Sequence, residues 1–303
     1  MNLRTQSTSV ATQTAPSPAT NVGTRVGLAT LRSGLRLAYG ERGPVAETAL
    51  VLLHGLSDSW LSFEPLMALL PGSVRVVAVS MRGHGDSDRP ESGYRFPDFA
   101  TDIRDLLDAL DIESAVIAGH SLGASVAMRF GIDYPERALG LVLLGAFADY
   151  RHNPAVLELH AVVQQLSDPV DQSFIRDFQL ATLTRPIPAE ALEQVIRESR
   201  KLPARVWKAI VAGFCGPDGT LPLHELRVPS LLLWGERDNF VPRADQERLL
   251  AGISGSRLVA YPGGGHAFHW EDPAPSARDL SAFAASQAAA FELRLIDRGA
   301  FGR

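Results

Sequence analysis

The sequence is poor in cysteine and in lysine. Cys215 is the only cysteine among 303 residues, so no disulfide can form within the chain and the fold must be stable through its core alone. Such sparse use of cysteine suits a reducing compartment, and we expect a cytoplasmic protein. Lys201 and Lys208 are the only lysines, and all other basic residues are arginines, a bias that we attribute to genome composition.

Long apolar runs and basic stripes are also missing. The longest apolar runs, residues 49–53 and 139–144, are far shorter than the roughly 20 residues that cross a bilayer, so stable membrane insertion is not expected. A net charge of −5 without a basic stripe makes nucleic acid a poor partner. The content of 46% apolar and 21% charged residues is ordinary for a globular protein with a large core.

Sequence motifs that hold metals, dinucleotides or phosphates are absent. Gly263, Gly264 and Gly265 form a glycine run, but a histidine follows it and no Lys-Ser or Lys-Thr pair does, so the run is not a phosphate loop. We therefore expect no cofactor and no metal ion.

The first 24 residues differ in composition from the rest of the chain. They are rich in Ser, Thr, Ala and Pro, and Arg4 is their only charge. A secretory signal needs a continuous apolar segment, which this stretch lacks. We expect residues 1–24 to form a disordered tail, with an organelle transit peptide as the alternative because acidic residues are absent.

From Val26 onward, short apolar segments alternate with glycine-containing turns and amphipathic helices. Ser33 and Gly34 predict the turn of a hairpin whose second arm is residues 35–41. Continuous apolar strands separated by helices indicate an α/β fold with a mostly parallel, doubly wound sheet. The remaining predicted strands are residues 48–53, 74–79, 115–118, 139–144, 230–234 and 258–261.

The strand pattern stops between Asp149 and Leu226. This segment contains seven prolines and several helical patches. A structureless insertion of this length would be unusual, so we predict a helical cap over residues 149–226. The core domain then consists of residues 25–148 and 227–303, and its last helix covers residues 273–291.

The strongest functional pattern is Gly119-His120-Ser121-Leu122-Gly123, a G-x-S-x-G motif between an apolar strand and an amphipathic helix. A strand that turns sharply into a helix exposes the side chain at the apex, and small residues two before and two after it let the two elements approach. The helix N-terminus offers unpaired N–H groups to a developing anion. Ser121 is therefore the candidate nucleophile, and a serine that only caps its helix is the alternative.

Two later segments, together with this motif, make residues 26–291 resemble the α/β-hydrolase family. The family's pattern is a serine, an acid and a histidine in this chain order, each after a sheet strand. Asp238, in the segment WGERD, matches the acid, and His266, directly after the glycine run, matches the base. The resemblance implies about eight strands, with the cap inserted after the sixth.

The chemistry requires all three residue types. A serine hydroxyl is a poor nucleophile until an imidazole takes its proton, and the imidazole needs a carboxylate to fix its tautomer. Glu236 and Asp149 are the alternatives to Asp238 as the acid, and His269 is the alternative to His266 as the base.

Two backbone N–H groups must also face the carbonyl oxygen as it gains charge. The resemblance places them at Leu122, after the nucleophile, and at Leu56 in the segment HGLS. His54 is expected to hold this loop rather than to react. Further substrate contacts are expected from His120, Phe147, Trp207, Phe240 and Ala267.

These expectations define a serine hydrolase that cleaves a small to medium carboxylic ester, thioester or lactone through an acyl-enzyme on Ser121. The apolar residues of the insertion suggest a small-molecule substrate with an apolar body. Family members that open epoxides or remove halides use a carboxylate at the position of Ser121, which argues against both reactions.

Several alternatives remain. The same triad could serve a cofactor-free haloperoxidase or perhydrolase, an acyltransferase, or a carbon–carbon hydrolase, although the Gly-Pro-Gly-like run of the last group is replaced here by Leu56-Ser57-Asp58. The fold could also serve as a small-molecule receptor. Oligomeric state is not readable from the sequence.

Overall fold

The computed structural model describes residues 23–46 and 48–300. Of the predicted tail, residues 1–24, all but the last two lie outside the described residues. Within the described part, eight strands form one sheet. They are β1 (Arg25–Thr30), β2 (Arg36–Arg42), β3 (Thr48–Leu53), β4 (Val76–Val79), β5 (Ser114–His120), β6 (Ala138–Leu144), β7 (Ser230–Gly235) and β8 (Arg257–Tyr261).

The helices lie between and after these strands. Among the described helices, none has both the length and the apolar composition that a membrane crossing requires. They are α1 (Glu64–Met67), α2 (Phe96–Ala109), α3 (Leu122–Asp133), α4 (Pro154–Val163), α5 (Gln172–Ala181), α6 (Ala189–Ser199), α7 (Ala204–Cys215), α8 (Arg243–Gly252), α9 (Phe268–Glu271) and α10 (Pro273–Ala300).

The strand order of the sheet is β1-β2-β4-β3-β5-β6-β7-β8. β2 pairs antiparallel with β1 and β4, whereas the other neighbours are parallel, which confirms the mostly parallel sheet expected from the sequence. The chain runs outward from β3 to β4 and then returns to the other side of β3 as β5. Open α/β sheets bind ligands beside the carboxyl ends of the strands at such a reversal.

Both faces of the sheet are covered, and β3 shows why its sequence is apolar throughout. Val51 and Leu53 face one buried cluster, which includes residues of α2 and α3, and Leu50 and Leu52 face another, which includes residues of α1 and α10. Successive side chains of a strand point to opposite faces, so a strand covered on both sides needs apolar residues at every position.

Residues 149–226, which we call the cap, contain helices α4 to α7 and lie between β6 and β7. Asp149 connects the two ends of this segment. Its carboxylate accepts hydrogen bonds from the backbone N–H of Arg151 at 2.9 Å and from the hydroxyl of Thr220 at 2.8 Å. The side chain is buried, so these bonds offset the cost of removing its charge from water.

The turn from β5 into α3 is packed tightly against the end of β3. A Cβ atom at Gly119 would collide with the backbone carbonyl of Gly123, and one at Gly123 would collide with the carbonyl of Leu53. Neither collision can be relieved by rotating a side chain, because both partners are backbone atoms. Glycine at these two positions is therefore a packing requirement.

We predict that Gly123→Ala lowers the free energy of unfolding by about 3 kcal/mol or more, because the added methyl group must displace a central strand. The measurement is urea denaturation followed by circular dichroism. Gly72→Ala is the matched control, since a Cβ atom there meets nothing within 4 Å and its effect should stay within about 0.5 kcal/mol. Equal stability of the two variants would contradict this account of the turn.

Candidate functional site

Ser121 lies at the apex of the turn between β5 and α3. Its backbone has a φ of 53° and a ψ of −114°, a conformation that costs a non-glycine residue about 1–3 kcal/mol. Its N–H donates to the carbonyl of Leu144 at 2.9 Å, which ties the apex to β6. The hydroxyl makes no capping bond to α3, so the alternative of a serine that only caps its helix is not supported.

His266 follows β8 and pairs with Asp238, which follows β7. The imidazole Nδ1 lies 2.7 Å from the Asp238 Oδ2 atom, and both side chains are almost completely buried. The backbone N–H groups of Phe240 and Val241 donate to Asp238 Oδ1 at 2.8 and 2.9 Å, which fixes the carboxylate. Because an ionised carboxylate only accepts hydrogen bonds, Nδ1 carries the proton and Nε2 is left as a base.

The three residues that the sequence offered as alternative acid or base do not form such a pair. Glu236 is exposed, and Asp149 bonds to residues of the cap instead of to His266. His269 is buried, and its ring packs 4.4 Å from the ring of His120 and close to Phe63. The geometry therefore favours Asp238 and His266 over the three alternatives.

The loop after β3 brings Leu56 to the same edge of the sheet. The N–H of Asp58 donates to the carbonyl of Gly55 at 3.3 Å, so Leu56 lies in a tight turn. His54 holds this loop, because its Nδ1 donates to the Gly55 carbonyl at 2.7 Å and its Nε2 accepts from the Met81 N–H at 3.0 Å. Both ring nitrogens are used, which agrees with a structural role.

Leu122 is the first residue of α3. The first N–H groups of a helix have no partner within the helix, and the helix dipole places partial positive charge there. The two sequence-predicted N–H donors thus lie on loops that follow the neighbouring strands β3 and β5.

Ser121 and His266 line one cavity between the sheet edge and the cap, which encloses about 490 Å³ including the part open to solvent. Most of its wall is apolar. The apolar and aromatic lining residues are Leu56, Phe147, Tyr150, Val156, Leu159, Phe178, Phe214, Phe240 and Trp270.

The structure corrects two of the expected substrate contacts. His120, Phe147 and Phe240 line the cavity as expected, but Trp207 and Ala267 are fully buried and do not. Trp207 supports the wall from behind, since the rings of Phe174 and Phe178 pack edge to face against it. Ala267 packs in a small cluster with Val195 and Trp270.

The aromatic wall connects the core to the cap through Tyr150. Its ring stacks on Phe147 at 4.3 Å and on Phe214 of α7 at 4.4 Å between ring centres. Its hydroxyl lies 2.8 Å from the hydroxyl of Ser125 in α3. Sequence reasoning missed Tyr150 and Phe214, because spacing within the insertion does not reveal which face of α7 turns towards the sheet.

Asp58 and Gln179 are two buried polar residues in the cavity wall that sequence reasoning also missed. Burial raises the pKa of Asp58 to about 7, although the Gln179 amide and the nearby His266 act in the opposite direction. The position of Asp58, two residues after Leu56, was the available sequence signal. No sequence signal pointed to Gln179, because a glutamine on a helix of the insertion is common.

The imidazoles next to His266 are uncharged at neutral pH. Burial lowers the pKa of His120 well below its usual range and lowers the pKa of His269 to about 3. The Nε2 of His120 donates to the backbone carbonyl of His266 at 3.1 Å, which holds the base in place. Among the described residues, no group of three or more His, Cys, Asp or Glu side chains is arranged to hold a metal ion.

Comparison with known proteins identifies a family and several relatives. The sequence model described as the alpha/beta hydrolase family matches residues 50–279. Epoxide hydrolase 4 of Mus musculus is 29% identical over 233 residues, which cover 69% of this chain and 65% of the relative, so the chain spans less than two thirds of that protein's length. The 2-hydroxy-6-oxononadienedioate/2-hydroxy-6-oxononatrienedioate hydrolase of Paraburkholderia phymatum is 30% identical over 250 residues, covering 78% of this chain and 86% of the relative.

Solved structures show the same architecture. The esterase RhEst1 from Rhodococcus sp. ECU1013 has a TM-score of 0.76 and 27% identity, with 86% of this chain and 99% of that chain covered. A putative aryl esterase from Burkholderia cenocepacia, at 22% identity and a TM-score of 0.74, covers 88% of this chain and 100% of its own and is similar in fold. The resemblance noted in the sequence is thus confirmed, and the chain belongs to the alpha/beta hydrolase family.

Proposed function

We propose that the protein is a serine hydrolase that cleaves small to medium carboxylic esters, including thioesters and lactones, through an acyl-enzyme on Ser121. The observation that carries this proposal is a shared cavity. The uncapped Ser121 hydroxyl and the His266 imidazole both line it, and Asp238 binds the opposite nitrogen of that imidazole.

In the first half of the reaction, Ser121 Oγ attacks the ester carbonyl while His266 Nε2 takes the hydroxyl proton. Asp238 stabilises the resulting imidazolium. The tetrahedral intermediate then collapses, the bond to the alcohol breaks, and the proton on Nε2 passes to the leaving oxygen.

In the second half, a water molecule gives a proton to His266 Nε2 and attacks the acyl carbonyl. The bond between the acyl carbon and Ser121 Oγ then breaks, the proton passes from Nε2 to Oγ, and the acid is released. In both halves, the carbonyl oxygen gains charge and is bound by the N–H groups of Leu56 and Leu122. Each such donor is worth about 10²–10³ in rate, because it is oriented before the reaction begins.

The apolar wall indicates the kind of substrate. Phe147, Tyr150 and Phe214 offer ring surfaces to an acyl or alcohol group without charge, and Val156 of α4 adds an aliphatic contact. RhEst1, which is similar to this chain in structure, is described as an esterase, and this supports the ester class. The carboxylate nucleophile that epoxide opening requires in this family is replaced here by Ser121.

The nucleophile is tested with p-nitrophenyl esters of increasing chain length. We expect the native protein to release a burst of p-nitrophenol followed by steady turnover, and Ser121→Ala to lose both. Equal signals from the two proteins would rule out Ser121 as the nucleophile. A burst without steady turnover, or products diverted to added alcohol or peroxide, would favour acyl transfer or perhydrolysis.

The role of the acid is tested with Asp238→Asn, which keeps the shape of the side chain but can donate a hydrogen bond to Nδ1 of His266. This bond favours the wrong imidazole tautomer, with the proton on Nε2. We expect kcat to fall by about 10⁴-fold at neutral pH with little loss of stability. Glu236→Gln is the matched control, since this side chain is exposed and its variant should retain native activity. A comparable loss in both variants would contradict the assignment.

A further inference from the structure

The cavity wall has one polar end. Asp58 and Gln179 both line the cavity, and they are 3% and 1% exposed, so they are as buried as the apolar residues around them. The proposed reaction uses neither residue. Polar groups buried at this depth cost free energy unless they are hydrogen-bonded, so their partners need to be counted.

The carboxyl group of Asp58 lies against the loop that carries Leu56. A Cβ atom at Gly55 would be 3.0 Å from Asp58 Oδ2 and 2.9 Å from His120 Nδ1, which places both side chains at this loop. Asp58 Oδ1 accepts a hydrogen bond from the Gln179 Nε2 group at 3.1 Å. The carboxyl group is therefore held beside the loop that carries Leu56, the residue whose N–H group is proposed to bind the carbonyl oxygen.

Gln179 lines the cavity, and its side chain has an acceptor atom without a partner. Its Nε2 group lies within reach of three oxygens, at 2.7 Å from Ser199 Oγ, 3.1 Å from Asp58 Oδ1 and 3.2 Å from Ser57 Oγ. These contacts fix the direction of the amide, and its buried Oε1 atom has no hydrogen-bond partner. An unpaired buried acceptor is a cost that a ligand with a donor group would remove.

We propose that the substrate carries a hydrogen-bond donor, a hydroxyl or an amide N–H, on its acyl part close to the reacting carbonyl, and that Gln179 Oε1 and the Asp58 carboxyl bind this donor. The inference rests on the ester hydrolysis proposed above. We assign the donor to the acyl part because the Asp58 carboxyl lies at the loop that carries Leu56, which is proposed to bind the carbonyl oxygen, whereas the leaving alcohol has to reach the Nε2 atom of His266 for its proton.

The charge of Asp58 adds a dependence on pH. Since burial raises the pKa of Asp58 to about 7, its carboxylate form becomes the major one above neutral pH. A substrate donor binds an ionised oxygen more strongly than a neutral one, so the preference for donor-bearing esters should grow as the pH rises from 6 to 8. His266 and His120 also face this region. Burial holds the pKa of His120 well below its usual range, so this ring stays uncharged from pH 6 to 8, and the comparison of esters with and without the donor removes effects of pH that all the esters share.

The first experiment measures binding to the Ser121→Ala protein, in which no ester is consumed. The probes are ethyl butanoate, ethyl 2-hydroxybutanoate and ethyl 3-hydroxybutanoate, which share one chain length and differ in the hydroxyl donor, and N-acetylglycine ethyl ester, which offers an amide donor and a second carbonyl on a chain one atom longer. We expect at least one donor-bearing ester to bind about 10-fold or more tightly than ethyl butanoate at pH 8. Equal or weaker binding of all three would overturn the proposal.

The second experiment locates the donor site with the same probes and kcat/KM ratios. Asp58→Asn replaces one acceptor oxygen with a donor at constant shape, and we expect it to reduce the ratio about 5-fold or more and to abolish its dependence on pH. Asp111→Asn, an exposed residue with a φ of 52° that asparagine tolerates, is the matched control and should keep the native ratio. An unchanged ratio in Asp58→Asn would overturn the proposal.

A further variant covers the case in which Asp58→Asn does not fold. Gln179→Met removes the unpaired acceptor at similar length, and it should also reduce the preference. The binding data keep the two proposals separate. If the native protein hydrolyses no ester but Ser121→Ala still prefers donor-bearing probes, the ester hydrolysis fails while the polar subsite stands.

Discussion

The contact between the start of α3 and the end of β3 holds Ser121 in a backbone conformation that a serine does not adopt freely. The tight turn can persist because Gly119 and Gly123 let backbone approach backbone and because the Ser121 N–H is bonded to β6. The position of the hydroxyl, the direction of the helix N-terminus and the closeness of the Leu56 loop all depend on this one turn. Strain of this kind is maintained only where the surrounding structure over-determines it.

The base is held by a different means. The loop that carries His266 is bonded to the cap, since Ala267 donates its N–H to the Thr182 carbonyl at 2.9 Å and the buried Glu271 carboxylate accepts from the Thr184 N–H at 2.6 Å. Asp238 fixes the imidazole from the other side. The cap therefore shapes the cavity and also supports the loop of the base, so changes in the cap can affect chemistry as well as specificity.

The apolar wall and the polar end of the cavity have separate roles in substrate choice. The burial of apolar surface is non-directional, so the aromatic wall alone would accept many acyl groups. Buried hydrogen-bonding groups discriminate more sharply, because a substrate without the matching group leaves them unpaired. In this cavity the apolar wall would supply affinity, and Asp58 with Gln179 would supply selection.

Local patterns in the sequence determined the sheet and the serine turn, because strand periodicity and the glycines of a tight turn act over a few residues. The candidate acid and base came from the resemblance to the alpha/beta hydrolase family. The strand limits changed by only a few residues in the structure, and all eight strands are present. Which residues form the cavity wall was decided only by the tertiary structure. Trp207 lies behind Phe178, and Gln179 meets Asp58 across 121 residues of chain, because helix packing decides which faces of the cap turn inward.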